Sequence, residues 1–376
     1  MQLLKWALGA TLALGLAAPA YAADLGGNCC QDLSERVEEL ERFAARKGNS
    51  KVKLIISGQV NKAVLFLDDG STWTRSVIDN AVSPTVLNIT GEGKLSPNVT
   101  AGFRLELGIN ENPAILILQD QVTVRHSVVW LQTQAGKLSV GRTSTATDGI
   151  VEITVSNTDV AAKMLNLEPL SSVALFGINL PFDGSRRDIV RYDSPSFGGF
   201  HASGSYSPVG GTESVWDAAL RYAGEFSGFR LAAGIGYRDE DNNVGLLPTP
   251  LPALSTRDRV YGGSASLMHM GTGLFVNVAA AQVNQESALG ASDYRGYHVQ
   301  AGWENRIWAV GKTTVYGEYA VLDFEGASIN PNLMGIGVVQ ALDNAAMDVY
   351  LAYRRLDTDT GGPEVQTIMF GTRIRF

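Results

Sequence analysis

The sequence predicts an all-β protein, a sixteen-stranded antiparallel transmembrane β-barrel. Three observations lead to this prediction: apolar and polar residues alternate strictly, the predicted strands are even in number, and short connections alternate with long ones. The chain has 376 residues, 45% of them hydrophobic and 41 of them glycine, which is too apolar for a disordered chain and favours many turns. Its formal charge of −8 argues against a nucleic-acid partner.

Residues 1–22 are expected to be a signal peptide. Lys5 precedes an apolar run over residues 6–16, and an A-x-A site follows at residues 20–22, so cleavage is expected between Ala22 and Ala23. A membrane anchor is the alternative, but the apolar run is too short to span a bilayer. The mature protein is therefore expected to be exported to the periplasm, the outer membrane or the medium.

Residues 23–50 are expected to form a short periplasmic amphipathic helical segment. Leu33, Val37 and Leu40 recur at helical spacing with charges between them. This segment is either a small docking or coiled-coil helix or a frayed leader that orders only against its neighbours. The adjacent Cys29 and Cys30 would form a strained intramolecular disulfide, and an intermolecular one is the alternative.

From residue 51 the pattern has a period of two, which indicates strands. In residues 229–238, Phe229, Ile235 and Tyr237 share one face with other apolar residues, and Arg230 and Arg238 lie on the opposite face. Residues 297–304 and 347–354 alternate in the same way. A soluble β-sandwich would show the same alternation, so the connections have to decide between the two folds.

Sixteen strands can be delimited from the alternation and its breaks. The connections between them are short at one end, such as residues 134–135, and long at the other, such as residues 68–84 and 240–256. An even strand count with this sorting of loops is typical of an outer-membrane barrel, whose closure leaves no strand edge unpaired in lipid. The predicted strands are 51–67, 85–94, 98–109, 120–133, 136–142, 188–194, 199–206, 213–224, 228–239, 257–269, 273–283, 292–304, 312–322, 335–343, 346–356 and 364–376.

The last predicted strand gives the orientation of the two faces. Ile368, Phe370 and Phe376 share one face, whereas Arg373 and Arg375 share the other. Two arginines would be costly in a dry core but not in a water-filled lumen. The apolar face is therefore expected to face lipid, with Phe376 at the membrane interface.

Several motifs resemble those of Gram-negative general porins. Residues 191–200 (RYDSPSFGGF) are similar to a strand–turn–strand signature of that family, and residues 141–143 to the strand end before its constriction loop. The terminal Phe376 resembles the family's membrane-assembly signal, and residues 45–52 resemble alphaproteobacterial porins. The resemblance implies a trimeric, water-filled barrel in the outer membrane, through which small hydrophilic solutes and ions diffuse passively.

The candidate functional site is the 46-residue connection 142–187, because so long a loop is usually functional. The resemblance implies that it folds into the barrel and narrows the pore. Opposed charges there would create a transverse field that favours polar solutes; Arg191 and Asp183 are the strongest candidates, since they flank the return of the loop to the wall. The candidate loop acids are Asp148, Glu152, Asp159, Glu168 and Asp183, and the candidate wall cations are Arg104, Arg125, Arg191, Arg221 and Arg230.

Two other functions remain open. A hydrolase could use His126 or His298, although no catalytic motif, cofactor fingerprint or metal-ligand spacing is found. A structural protein could tether the envelope through residues 31–47, with the barrel as its anchor. The expected partners are membrane lipid and lipopolysaccharide, a homotrimer and small solutes; residues 239–241 (DED) are expected to form a solvated acidic loop.

Overall fold

The computed structural model describes residues 51–112, 121–168, 170, 182–207, 213–243, 255–287, 290–325, 330–358 and 364–376. The expected signal peptide (1–22), the expected helical segment (23–50) and both cysteines lie outside the described residues. Within the described ranges, no helix has the length and apolar character needed to cross a membrane.

Seventeen β-segments of the described chain form one antiparallel sheet that closes on itself, because β1 pairs with both β17 and β3. β2 and β3 both pair with β1 and are two halves of one interrupted strand, so the barrel has sixteen strands, as predicted. The segments are β1 (Lys53–Asp68), β2 (Trp73–Asp79), β3 (Val86–Ser96), β4 (Val99–Asn110), β5 (Gln121–Thr133), β6 (Gly136–Ser144), β7 (Arg186–Asp193), β8 (Phe200–Ser207), β9 (Glu213–Phe226), β10 (Phe229–Asn243), β11 (Ser255–His269), β12 (Leu274–Ser287), β13 (Gly290–Trp308), β14 (Gly311–Phe324), β15 (Asn332–Leu342), β16 (Met347–Asp357) and β17 (Val365–Arg375).

The predicted loop 68–84 is wrong over residues 73–79, which form β2. This segment pairs with the second half of β1, from Lys62↔Asp79 to Asp68↔Trp73. Its alternation is weak because Thr74, Arg75 and Ser76 are consecutive polar residues. Backbone pairing with β1 therefore supplies the strand where the side-chain pattern does not.

The apolar face of the strands lies outside, as predicted. Ile235 is 66% exposed and Phe370 53% exposed on the outer surface, whereas Arg354 is 2% exposed inside the barrel. A soluble protein would bury rings such as Phe370. The outer surface is instead an apolar band that requires a lipid environment.

The acidic residues 239–241 belong to β10 and not to a solvated loop, which corrects the prediction. Asp239 accepts two hydrogen bonds from Arg257, at 2.9 and 2.8 Å. Glu240 is buried and pairs with Arg187 and, at 3.2 Å, with Arg238. These charge-assisted contacts make it possible for the acids to continue the strand beyond the apolar band.

The chain terminus takes part in closing the barrel. The backbone N–H of Phe376 donates to the carbonyl of Gly58 at 3.0 Å, and the N–H of Gly58 donates back at 2.9 Å. A Cβ at Gly58 would lie 2.8 Å from Cζ of Phe376, so only glycine accommodates the terminal ring here. Phe376 is 61% exposed, on the outer surface at the end with short turns.

In the connection between β6 and β7, residues 145–185, the described residues fold into the barrel. The connection is slightly shorter than the predicted loop 142–187, because β6 continues to Ser144 and β7 begins at Arg186. Its described residues make hydrogen bonds to the inner faces of β9, β11, β13, β16 and β17. We call this connection the inner loop.

Candidate functional site

The inner loop is fixed at its base by one carboxylate. Asp217 of β9 is 2% exposed and accepts the backbone N–H groups of Ala146 at 3.1 Å and Thr147 at 2.7 Å. It also accepts the hydroxyl hydrogens of Thr147, at 2.7 Å, and of Ser205. Backbone donors at the start of the loop are thus satisfied inside the barrel, which a buried loop requires.

The loop then crosses the barrel along short polar side chains. Ser264 of β11 donates to the carbonyl of Ile150 at 2.6 Å and accepts the N–H of Ile153 at 3.1 Å. Ser266 accepts the N–H of Val155 at 2.9 Å, and Glu304 of β13 accepts that of Asn157 at 3.0 Å. The two serines leave space for the loop backbone to approach the wall closely.

The far end of the loop is held by a buried charge cluster of His298, Glu318 and Arg354. Arg354 of β16 donates to the carbonyls of Asn166 at 2.9 Å and Glu168 at 3.1 Å, and to Glu318 at 2.8 Å. Nδ1 of His298 accepts the N–H of Leu165 at 2.8 Å, and its Nε2 lies 3.1 Å from Glu318. Because Nδ1 is an acceptor, Nε2 carries the ring proton and points at Glu318.

Apolar contacts complete the docking. The loop residues Ile150, Val151, Leu165, Leu167 and Phe182 pack in one cluster with inward-facing residues of β11–β17, such as Leu322 and Leu356. Val160, Ala161 and Ala162 pack in a second cluster with Ala63 and Leu65 of β1. The loop therefore covers the β9–β17 side of the interior and part of β1.

The opposite wall carries a cationic group. Arg104 of β4 and Arg125 of β5 share the carboxylate of Glu106, which lies 2.7 Å from Arg125 and also pairs with Arg104. The register shifts between Glu106 and Leu107, opposite His126 and Val124. This bulge inserts Arg125 as an extra residue and directs it to the same side as His126.

The loop face carries mostly acids. Glu152 pairs with Lys163 at 2.7 Å and lies within the segment held against β11. Asp148 lies 3.8 Å from Arg186, the first residue of β7. Since β4 and β12 are the third and eleventh of sixteen barrel strands, Arg104 and the loop segment against β11 and β12 occupy opposite sides of the lumen.

The structure places the other sequence-predicted residues in supporting contacts. Arg191 binds Asp193 at 2.7 Å and the carbonyls of Ser144 and Thr145, both at 2.9 Å. Arg221 binds the carbonyls of Ala146 at 2.8 Å and Asp148 at 2.9 Å. Both arginines hold the loop base. Arg230 instead pairs with Glu225 at 2.8 Å next to a short turn. Of the loop acids, Asp159 lies 3.6 Å from Arg373. The backbone carbonyl of Glu168 accepts a hydrogen bond from Arg354.

Asp183 ties the two ends of the loop together. Its carboxylate accepts the N–H groups of Gly149 at 2.7 Å and Ile150 at 2.9 Å. Burial raises the pKa of Asp183 to about 7, and the nearby Glu152 and Asp148 add to the rise. Close to neutral pH this carboxyl is therefore partly protonated.

Lys163 keeps its charge on the loop face. Burial lowers the pKa of its ammonium, but the carboxylates of Glu152, Asp159 and Asp183 outweigh that effect and raise it above its usual range. The loop face thus carries several acids and one fixed cation.

The sequence did not predict four charged residues of the site: Glu106, Arg186, Lys163 and Asp217. Glu106 and Asp217 have the inward parity of their strands, which is a usable signal for lumen-facing acids. Arg186 and Lys163 lie at a loop boundary and within the loop, where no periodicity indicates direction.

The two candidate histidines make different contacts. Nδ1 of His126 lies 3.0 Å from the hydroxyl of Thr143, and its Nε2 is 3.9 Å from Glu106. The Glu106 carboxylate already pairs with Arg104 and Arg125. Both histidines are 4% exposed, and His298 binds the loop backbone.

Comparisons with known proteins agree with this architecture. The family model described as Gram-negative porin matches residues 9–361, and no curated protein matches the sequence. An anion-selective porin from Comamonas acidovorans is 17% identical, with a TM-score of 0.63 over 86% of this chain and 100% of that chain.

Two further solved structures share the fold. OmpT of Vibrio cholerae, in a trimer form, is 14% identical, with a TM-score of 0.60 over 87% of this chain and 100% of that chain. OmpF of Salmonella typhi, in complex with daunomycin, is 13% identical, with a TM-score of 0.51 over 88% of this chain and 99% of that chain. With the family model matching most of its length, the chain belongs to the Gram-negative porin family.

Proposed function

We propose that this outer-membrane porin, a passive channel for small hydrophilic solutes and ions, selects them by a transverse field at the inner loop. The observation that carries the proposal is the shared carboxylate: one Glu106 pairs with both Arg104 and Arg125. The wall therefore keeps an excess positive charge. Glu152 and Asp159 supply the negative side from the loop, whereas the charges of Asp148 and Arg186 offset each other at 3.8 Å.

A field across a narrow aqueous passage orients polar solutes and raises the barrier to apolar ones. The charges at each side also set the preference for cations or anions. At about 10 Å one unit charge contributes roughly 0.4 kcal/mol in a water-like medium and about 1.7 kcal/mol at an effective dielectric constant of 20. Single neutralisations should therefore be measurable.

We expect Arg125→Gln and Glu152→Gln to shift ion selectivity in opposite directions. Loss of Arg125 should favour cations and loss of Glu152 should favour anions, each changing the permeability ratio roughly two- to fifteenfold. The reversal potential of single channels in a salt gradient measures both. Arg230→Gln, at an exposed ion pair beside a short turn, is the matched control and should leave the ratio unchanged. Shifts in the same direction would contradict the proposal.

We also propose that the chain assembles as a homotrimer. The trimer form of the Vibrio cholerae structure supports this, as does the exposed apolar surface of β1, where Leu54 is 53% and Ile56 66% exposed. Mass measurement of the purified protein in detergent should give three chains per particle; a monomer would contradict the assembly.

The remaining proposals concern the termini, the surroundings and chemistry. Residues 1–22 act as a signal peptide, residues 23–50 form a periplasmic segment, and the outer surface contacts membrane lipid and lipopolysaccharide.

The protein acts without enzymatic catalysis, in keeping with its family. An enzyme would need an accessible nucleophile beside its base, and the buried His126 and His298 favour the channel over the hydrolase.

A further inference from the structure

The inner wall has a polar recess of about 450 Å³ on the short-turn side of the constriction. It lies on β3–β6, the part of the wall opposite the inner loop. Its size is within the range of roughly 300–1,000 Å³ that small-molecule sites occupy. We call it the Trp130 recess, after the aromatic side chain in its lining.

Trp130 lies along the wall because its cross-strand neighbour is a glycine. Gly102 of β4 pairs directly with Trp130 of β5, and a Cβ at position 102 would overlap the six-membered ring of the indole. The ring is half-buried, so it rests on the wall and leaves a face toward the lumen. An aromatic face inside a polar channel is a platform for an apolar surface of a solute.

Polar groups surround this platform on neighbouring strands. Glu92 pairs in register with Gly102, and Thr100, Gln132 and Lys137 form the next row toward the short turns. Across the described part of the chain, the Trp130 N–H, the Glu92 carboxylate and the Lys137 ammonium make no hydrogen bond to protein. Both donors and acceptors are therefore available to a solute in the recess.

We infer that the Trp130 recess is a binding subsite for a pyranose sugar. A pyranose ring presents an apolar C–H face that stacks on an indole, and hydroxyls at its edge that both donate and accept hydrogen bonds. Glu92 would accept from such hydroxyls, and Gln132 and Lys137 would donate to them. A small inorganic anion fits less well, because the carboxylate of Glu92 lines the recess.

The position of the recess gives the subsite a role in transport. Trp130 lies four residues along the strand from His126, about 13 Å at the usual rise per residue, and thus beyond the charged constriction. A solute that passes the inner loop meets the recess next. The inference rests on the channel function, and the conductance without sugar tests that function separately.

Single-channel current with added sugar tests the subsite. We expect glucose to reduce the current of the wild-type channel in a saturable way, with half-block at millimolar concentration, as is usual for weak binding of about −4 kcal/mol. Trp130→Ala should weaken this block at least about tenfold, the equivalent of about 1.4 kcal/mol. Trp130→Phe should retain part of it, because it keeps an aromatic face.

Three controls separate the possible causes. Trp216→Phe changes a ring on the outer surface, 46% exposed, and should leave the block unchanged. Sorbitol, a linear polyol of similar size, should block at least about tenfold less than glucose, and inorganic phosphate should not compete with glucose. A wild-type channel that conducts but shows no saturable block by glucose would overturn the inference. Equal block of the wild-type, Trp130→Phe and Trp130→Ala channels would overturn it as well.

Discussion

Asp217→Ala is expected to release the base of the inner loop and to raise the single-channel conductance roughly twofold, because a wider lumen holds more ions. The carboxylate of Asp217 accepts hydrogen bonds from the backbone of Ala146 and Thr147 and from the hydroxyls of Thr147 and Ser205. Hydrogen bonds to a charged group contribute about 1.5–3 kcal/mol each, and they do not add fully. We therefore expect a loss of about 3–5 kcal/mol in the free energy that holds the loop base.

Conductance in planar bilayers and the thermal unfolding temperature together measure this effect. Asp188→Ala is the matched control, since the Asp188 side chain is 74% exposed and lies 3.6 Å from Arg142. Such a surface pair is worth about 0–1 kcal/mol, so conductance should not change. If Asp217→Ala had wild-type conductance, the carboxylate would not hold the loop.

Arg354→Ala is expected to have the second largest effect, at the far end of the loop. It removes the donors to the carbonyls of Asn166 and Glu168 and leaves the fully buried Glu318 with His298 alone. Breaking a buried ion pair by removing one partner costs about 3–5 kcal/mol. The unfolding temperature should therefore fall. The inner loop should also be released at its far end, which should raise the single-channel conductance.

A double variant separates the two consequences. Arg354→Met with Glu318→Gln removes both charges, so much of the lost stability should return, while the loop carbonyls remain without their donor. Conductance should stay above the wild-type value in both variants. Recovery of stability together with wild-type conductance would show that Arg354 supports the barrel only.

Much of the barrel follows from the sequence because each strand has one face in lipid and one in water. Residues 229–238 show this clearly, with Ile235 outside and Arg238 inside. β2 could not be predicted, because its polar run of Thr74, Arg75 and Ser76 breaks the alternation. Its pairing depends on where β1 lies, which is a tertiary property.

The residues of the site are less predictable than the strands. Ala63 to Phe66 are apolar on both faces, a pattern that subunit contact or an inward-folded loop would equally explain. In the structure the inward Ala63 and Leu65 pack on Val160 and Ala161 of the inner loop. The partners of a charged residue, such as the loop carbonyls that bind Arg191, depend on the path of the loop. That path cannot be predicted from the sequence, because the loop residues have no periodicity.

The swelling of liposomes that contain the purified protein tests the central claim most directly: the polar faces of the strands enclose a water-filled passage narrowed by the inner loop. The rate of swelling should be high for a small sugar and should fall steeply as the solute becomes larger. Correctly folded protein that gives no swelling with the smallest sugar would contradict the account.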